Sequence, residues 1–114
     1  MNDPIANASA RKGSAEMLIL AALESAERHG YELSREIARR SGGLLTFRAA
    51  SLYPLLYRLE DRGLVEGRWR RVTGERRRRC YRLTPEGRAV LSQQRSRWAM
   101  FVRALSRAAG LKHA

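Results

Sequence analysis

Arginine is the residue type best suited to chemistry in this sequence, and it is concentrated in one short segment. Between Arg68 and Arg82 there are eight arginines and a single acid, Glu75. A guanidinium donates paired hydrogen bonds to phosphate oxygens, so a dense group of arginines favours binding to a polyanion such as nucleic acid. A solvated surface is the ordinary alternative for a run of charge. The arginines that we expect to contact nucleic acid are Arg70, Arg71, Arg76, Arg77, Arg78 and Arg79.

The segment before these arginines is predicted to be one amphipathic helix. Its leucines recur at i, i+3, i+4 and i+7, the spacing of a single apolar stripe: Leu52, Leu55, Leu56 and Leu59. Proline costs little only in the first turn of a helix, so Pro54 predicts a start close to Ser51, whose hydroxyl can act as the N-cap. Gly63 is the expected left-handed cap at the other end.

The face opposite the leucines carries groups that could read DNA. They are hydroxyl, phenol and guanidinium groups, including one arginine just before the helix: Arg48, Ser51, Tyr53, Tyr57 and Arg58. Such groups suit hydrogen bonds to phosphates and to base edges in a groove. Two alternatives stay open. The tyrosines could be half-buried packing residues, and Arg58 could pair with Glu60 or Asp61 on its own helix.

The arginine segment itself is predicted to form a β-hairpin. Strands are expected over Leu64–Arg71 and Arg78–Leu83, with a turn at Thr73–Glu75, because residues alternate in character with a period of two. A helix followed directly by an arginine-rich hairpin is the plan of a winged helix, in which the hairpin is called the wing.

The alternation also predicts which side chains of the wing are inside. Tyr81 and Leu83 should face the core, and Trp69 should pack beneath the wing. A short apolar stretch before the amphipathic helix, Leu44–Phe47, favours an additional minor strand at the edge of the wing.

The N-terminal part supplies the supporting helices. Residues 1–12 lack periodicity and are expected to be a flexible basic tail. Helices are predicted over Ser14–Arg28 and Tyr31–Arg40. Met17–Leu23 leaves no polar face for two turns, and a helix that is apolar all round must be buried all round. One small domain covers only one side of its first helix, so a second subunit is expected on the other side.

A last helix is predicted from Pro85 to residue 109, with Thr84 as N-cap and Gly110 at its end. Apolar residues recur at a spacing of seven along it, which is the pattern of a seam for a partner helix. Together with the first helix, this seam defines the predicted homodimer interface. Its residues are Met17, Leu18, Leu20, Ala21, Leu91, Trp98, Phe101, Val102 and Leu105.

A gap between the two subunits would form a pocket for a small molecule. Its predicted lining is Met17, Ile19, Trp98 and Phe101, which would suit a flat apolar or aromatic effector. The alternative is that Trp98 is simply part of the packed dimer core, which is the commoner role of a tryptophan on such a seam.

Length, charge and composition limit the classes of function. A chain of 114 residues is enough for one domain with one core. Its net charge of +12 favours an anionic partner, for which nucleic acid is the first candidate and an anionic membrane surface the second. The longest apolar run is too short to span a bilayer, and a lone cysteine fits a reducing compartment, so a cytoplasmic protein is expected.

No set of residues predicts catalysis. Histidine, cysteine and acidic residues are not spaced for a metal ion, and no nucleophile–base set or glycine-rich phosphate loop stands out. The sequence therefore predicts a protein that is not an enzyme and that holds no cofactor. The lone cysteine, Cys80, lies among arginines that could lower its pKa and make it a redox sensor, although a packing role is commoner.

Three stretches resemble one known family. SLYPLLYRLEDRGLVEG at 51–67, the arginine-rich hairpin and CYRLTPEGRAVL at 80–91 follow one another as in the PadR family of bacterial transcriptional regulators, and HGYELSREI at 29–37 is similar to that family's second helix. The resemblance covers Gly13 to Phe101. It implies a winged helix-turn-helix, a C-terminal dimerisation helix, and repression of operator DNA that a small molecule often relieves. It also makes Tyr53 a candidate for DNA contact, because the family's helix typically carries a tyrosine there.

The predicted fold is mainly α with a small β-hairpin wing. A winged helix-turn-helix occupies residues 13–84 and a dimerisation helix residues 85–109, with tails at 1–12 and 110–114. The predicted function is a PadR-like regulator that represses a palindromic operator as a homodimer. One alternative is an interaction module whose basic hairpin binds an acidic protein or an anionic surface. Another is a dimer whose main work is to capture an effector.

Overall fold

The structure, a computed structural model, describes residues 8–71, 74 and 76–112, with the side chains of residues 8–12 excepted. Within this part the chain forms four helices and three strands. In chain order they are α1 (Ala8–Glu24), β1 (Arg28–His29), α2 (Gly30–Arg40), α3 (Ala49–Asp61), β2 (Val65–Arg71), β3 (Arg77–Leu83) and α4 (Pro85–Ala109). The predicted class, mainly α with a small β wing, is confirmed.

The core is built around α1, which packs against α2, α3, β3 and α4. Ile19 and Leu20 are fully buried, and Tyr81 of β3 and Leu91 of α4 close the core around them. The helix is therefore covered largely by its own chain, because α4 folds back along the side that was expected to need a second subunit. A bidentate ion pair from Arg95 to Glu24, at 2.9 and 3.1 Å, fastens the two helices.

This packing corrects part of the predicted dimer interface. Leu20 and Leu91 are buried inside one chain and have no surface left to cover against a second copy. Ile19 is likewise buried, so it cannot line a pocket between subunits as predicted. Met17, Leu18 and Ala21 are only partly buried, and so this side of α1 retains some accessible apolar surface.

The first helix extends further towards the N-terminus than predicted. It begins at Ala8 rather than Ser14, so residues 8–12 of the predicted flexible tail are helical, whereas 1–7 lie outside the described residues. Alanine, arginine and lysine are strong helix formers and carry the helix back beyond Gly13. The helix ends at Glu24, earlier than predicted, because Arg28 and His29 leave the helical path to pair with β3.

The amphipathic helix also begins earlier than predicted. Arg48 is the N-cap residue, not Ser51, and the amides of Ser51 and Leu52 donate to the Arg48 carbonyl at 3.0 and 2.9 Å. Pro54 lies inside α3 and not in its first turn. Its missing amide would have bonded to the carbonyl of Ala50, which is on the exposed first turn where water can replace that hydrogen bond.

The sheet has the strand order β1-β3-β2, with both pairs antiparallel. The third strand is β1, in which Arg28 faces Tyr81 and His29 faces Cys80. The predicted minor strand at Leu44–Phe47 is therefore wrong, since that stretch forms no regular structure. A strand of two residues is too short to show an alternating pattern in the sequence. This one forms because His29 both pairs with β3 and caps α2 through a capping box with Glu32.

The predicted C-terminal end of α3 and both predicted ends of α4 are confirmed. Gly63 has a φ of 74°, its amide donates to Glu60, and the amide of Leu64 donates to Leu59, which together form a Schellman motif. Thr84 accepts a hydrogen bond from the amide of Gly87 at 3.0 Å, and Pro85 occupies the first turn. Gly110, at a φ of 73°, ends α4.

Arginines of β1 and α2 stabilise the end of α1. Arg28 donates to the carbonyl of Ala22 at 2.8 Å, and Arg40 donates to that of Ala21 at 3.2 Å, so cations meet the negative end of the helix dipole. Hydrogen bonds from Arg39 and Arg40 lower the pKa of Glu36 to about 2, so this carboxylate stays ionised and holds the arginines in place.

The close approach of α4 to the end of α3 gives a test of this packing. A Cβ on Gly87 would overlap the carbonyl oxygen of Leu64, a backbone atom that cannot move away. Gly87→Ala should lower the free energy of unfolding by about 1–3 kcal/mol, measured by urea denaturation. Gly13→Ala is the matched control, because its Cβ would meet nothing within 4 Å, and it should leave stability unchanged or raise it by about 0.5–1 kcal/mol. Equal losses in both variants would contradict the packing.

Candidate nucleic-acid interface

The exposed face of α3 carries most of the residues predicted to read DNA. Arg48, Ser51 and Arg58 are exposed, and Tyr57 is 55% exposed. Tyr53 differs, because it is partly buried and its ring packs so closely on Gly30 that a Cβ there would overlap the phenol. Tyr53 is therefore in large part a packing residue, which was the alternative to DNA contact. Only a glycine at position 30 allows the start of α2 to lie so close to its ring. The alternative for Arg58 is not seen, because Glu60 pairs with Arg79 and the Arg58 side chain is open to solvent.

The wing places like charges directly opposite one another. The register of β2 and β3 pairs Arg70 with Arg78 and Arg71 with Arg77. Like charges in directly opposed positions destabilise a sheet. Arg71, Arg76 and Arg77 are exposed, and no carboxylate of the described residues forms an ion pair with them. A bound polyanion would relieve this repulsion.

Two of the predicted contact residues are instead neutralised inside the chain. Arg70 forms an ion pair with Glu27 at 2.7 Å, which raises the pKa of Arg70. Arg79 forms one with Glu60 of α3 at 2.6 Å. The prediction treated the six candidate arginines of the wing alike, and it missed that acids 43 and 19 residues away along the chain form ion pairs with two of them. The remaining four are Arg71, Arg76, Arg77 and Arg78.

Arg79 joins the wing to α3. Glu60 accepts from the Arg79 guanidinium and also from the amide of Gly67 at 3.3 Å, so one carboxylate holds both strands of the wing. The guanidinium carbon lies 5.8 Å from the ring centre of Trp69 and 5.9 Å from that of Tyr81, within the range of cation–π contact. A Cβ on Gly67 would lie 2.9 Å from this guanidinium, so the absent side chain leaves room for it. We call this set the Arg79 clamp.

Trp69 does not pack beneath the wing as predicted. It is 58% exposed, and its ring lies beside Arg79 on the surface that faces α3. Tyr81 is fully buried, as predicted, and Leu83 is partly buried. Between α3 and the wing lies a cleft of about 290 Å³, to which Tyr53, Tyr57, Trp69 and Tyr81 contribute aromatic walls.

Cys80 does not have the environment of a reactive thiol. Burial raises its pKa, and the charges of Arg70 and Arg78 only partly oppose that effect. The thiol is therefore less ionised than a free cysteine, which favours the packing role over redox sensing. Within the described ranges, no group of three or more histidine, cysteine or acidic side chains could hold a metal ion. Nor is any helix among them long and apolar enough to cross a membrane.

The outer face of α4 is apolar and uncovered by the described residues of this chain. Phe101 is 55% exposed and Leu105 47%, with Met100 and Val102 beside them. Trp98 is partly buried and its ring meets that of Phe101 edge to face, with 5.7 Å between the ring centres. An exposed apolar strip of this kind is a candidate interaction surface.

A helical core whose third helix stands beside an arginine-rich hairpin is a winged helix-turn-helix, a DNA-binding class of architecture. The model of the transcriptional regulator PadR-like family matches residues 19–93. The chain belongs to this family, and it is a PadR-family transcriptional regulator. Two of the solved structures that the chain resembles are likewise described as transcriptional regulators, a class of protein that typically has no enzymatic activity.

Individual relatives agree with this assignment. A transcriptional regulator of Mycobacterium tuberculosis is 44% identical over 69 residues, which are 60% of this chain and 61% of that one. An uncharacterised protein of Lysinibacillus sphaericus is 33% identical over 88 residues, which are 77% of this chain and 81% of that protein. Among solved structures, a transcriptional regulator from Clostridium thermocellum superposes with a TM-score of 0.77 at 27% identity. The match covers 88% of this chain and 97% of that one. A PadR family regulator from Eggerthella lenta superposes with a TM-score of 0.70 at 30% identity. The match covers 88% of this chain and 81% of that one.

The Arg79 clamp predicts unequal effects from two similar substitutions. Glu60→Gln removes the charge that holds a partly buried guanidinium, and it should lower the free energy of unfolding by about 1 kcal/mol. Amide exchange at Gly67 should also become faster. Glu66→Gln is the control, because its partner Arg82 pairs with it at the exposed surface, and its cost should stay below about 0.5 kcal/mol. Urea denaturation and hydrogen exchange measure both, and a larger cost at Glu66 would contradict the clamp.

Proposed function

We propose that this protein is a homodimeric, cytoplasmic repressor that binds a palindromic operator in double-stranded DNA. Each subunit places the exposed face of α3 in a major groove and lays its wing along the neighbouring phosphates. The two-fold symmetry of a dimer requires half-sites one helical turn, roughly 34 Å, or a multiple of it apart. In this proposal the exposed side chains of Ser51, Tyr57 and Arg48 select the DNA sequence.

The observation that carries this proposal is the repulsion within the wing. Two pairs of arginines stand opposite each other in the wing, and four of the six arginines predicted to contact nucleic acid have no ion pair among the described residues. Such an arrangement lowers the stability of the free hairpin and is offset when phosphates bind. Arg70 and Arg79 hold the wing in place, so we assign them positioning roles rather than direct contact.

Dimerisation is supported by the apolar strip on α4. Trp98, Phe101, Val102 and Leu105 recur along one face, and a second copy of α4 would cover them. Met17 and Leu18 of α1 would lie at the margin of the same interface. A flat apolar or aromatic effector that entered between the subunits, against Met17, Trp98 and Phe101, would change their separation and release the operator.

The competing function is an interaction module that uses the wing to bind an acidic protein or an anionic surface. Both functions use the free arginines, but only a repressor prefers one DNA sequence. Selection of genomic DNA fragments at near-physiological salt separates them. Recovery of one inverted repeat supports the repressor, and recovery of random fragments that dissociate as salt rises supports the module.

Removing the free arginines of the wing should reduce the salt dependence of DNA binding. If Arg76, Arg77 and Arg78 each meet a phosphate, their joint replacement by Ala should reduce the slope of log affinity against log salt by about 0.9 for each phosphate that is no longer neutralised. Fluorescence anisotropy with a labelled operator measures the slope. Arg82→Ala is the control, because Arg82 is paired with Glu66, and it should leave the slope unchanged. An unchanged slope in the triple variant would refute the role of these arginines in phosphate binding.

Charge placed on the apolar strip should separate the subunits. Phe101→Asp puts a carboxylate at the centre of the proposed interface and should convert the dimer to a monomer at micromolar concentration, as seen by analytical ultracentrifugation. Because Phe101 is exposed in the single chain, helicity should be retained. Ser96→Asp introduces a carboxylate at an exposed position on the opposite side of α4 and should leave the dimer intact. Dissociation by both variants, or by neither, would contradict an interface through this strip.

A further inference from the structure

We propose that the cleft between α3 and the wing is a ligand site for a planar aromatic ring that carries a phosphate, such as a nucleoside monophosphate, bound in direct competition with DNA. The inference rests on the proposed DNA-binding role of the same surface. It differs from an effector between the subunits, because the ligand would occupy the surface that meets DNA and would need no change in the dimer.

The walls of the cleft suit a planar ring. Tyr53 and Tyr57 line one side from α3, with 6.2 Å between their ring centres, and Trp69 lines the other side from β2. Aromatic faces at these positions bind a flat ring by stacking. The volume of about 290 Å³ is near the lower limit of small-molecule sites, roughly 300–1,000 Å³, and so it favours a mononucleotide over anything larger.

The cations of the cleft suit a phosphate. Arg76, Arg77 and Arg78 line it, and none of them forms an ion pair with a carboxylate of the described residues. Arg79 also lines it, but Glu60 neutralises that charge. Arg77 lies on the same face of β3 as Arg79 and Tyr81, whereas strand alternation turns the Arg78 side chain to the opposite face. The guanidiniums of Arg76 and Arg77 suit a phosphate monoester, which carries a charge between −1 and −2 and several acceptor oxygens.

The floor of the cleft contains a buried polar group that the DNA-binding role does not use. The Tyr81 hydroxyl is inaccessible to solvent and has no hydrogen-bond partner among the groups that the structure describes. The nearby Arg79 guanidinium is a donor only and cannot accept from the phenol O–H, and its charge and donation oppose the effect of burial, which raises the pKa of Tyr81. The phenol is therefore a protonated donor whose hydrogen bond is unmade.

This hydroxyl distinguishes binding of a small ligand from binding of duplex DNA. Tyr81 is fully buried, so a duplex lying across the wing cannot reach it. A small ring that enters the cleft would reach it only where the Arg79 guanidinium, which lies 5.9 Å from the Tyr81 ring centre, moves aside, so ligand binding would open the Arg79 clamp. An acceptor on the ligand then supplies the missing partner, while the phosphate takes the place of a DNA phosphate on the free arginines.

Calorimetric titration of the full-length protein with AMP tests the proposal. AMP should bind in a saturable manner, whereas adenosine and inorganic phosphate, each with half of the required chemistry, should bind at least ~10-fold more weakly. Trp98→Phe leaves Trp69 as the sole tryptophan, and its fluorescence should change with the same midpoint. Binding of phosphate as tight as that of AMP, or a silent Trp69, would overturn the proposal.

Tyr81→Phe is the decisive variant, because it removes only the hydroxyl. It should weaken AMP binding by ~10-fold, as expected for one hydrogen bond to a charged or polar ligand, and leave DNA affinity and stability unchanged. A less stable variant would show that the hydroxyl already has a partner, and unchanged AMP affinity would show that the ligand does not reach it. Either result overturns the proposal.

Competition is measured with labelled operator, or with any duplex that the protein binds. AMP should displace the duplex from the wild-type protein, and Tyr81→Phe should require ~10-fold more AMP. Duplex binding that AMP never affects would overturn this inference and leave the proposed function standing. Saturable AMP binding without any DNA binding would reject the proposed function and, with it, the competition.

Discussion

The burial of α1 is the constraint on which the rest of the structure depends. An apolar helix of this kind must be covered on every side, and α2, α3, β3 and α4 each take one part of it. The stripe of leucines that buries α3 against α1 also turns the opposite face of α3 outward. The position of the residues that we propose to contact DNA is therefore a consequence of how the core is packed. Apolar packing, and not the charges of the wing, sets the direction in which the outer face of α3 points.

Local patterns in the sequence were enough to predict most of the elements. The leucine spacing of α3, the cap at Thr84 and the glycine at 63 depend on neighbouring residues, and all three were found. The pairing of β1 with β3 was missed because it joins segments about fifty residues apart and involves only Arg28 and His29 on one side. The early start of α1 was missed because the helix continues through Gly13, which the sequence marked as a boundary.

The candidate site shows the same division. Counting arginines identified the wing, but it could not tell which of them carry free charge. That depends on Glu27 and Glu60, which reach the wing only when the chain is folded. The exposure of Trp69 was also missed, since alternation along a strand assigns a face without showing whether anything covers that face. Apolar surface on α4 was predicted correctly in kind, although Leu91 belongs to the core of the single chain.

The two-residue strand β1 has a consequence for motion. By pairing with β3, it makes β3 the central strand of the sheet, and through His29 it continues directly into α2. Together with the Arg79 clamp to α3, this fixes the hairpin to the bundle at two separate points. The hairpin therefore cannot swing as an independent flap. In the proposed dimer, α3 and the hairpin would therefore approach a duplex together, and adjustment between two half-sites would come from rotation of whole subunits about the contact between them.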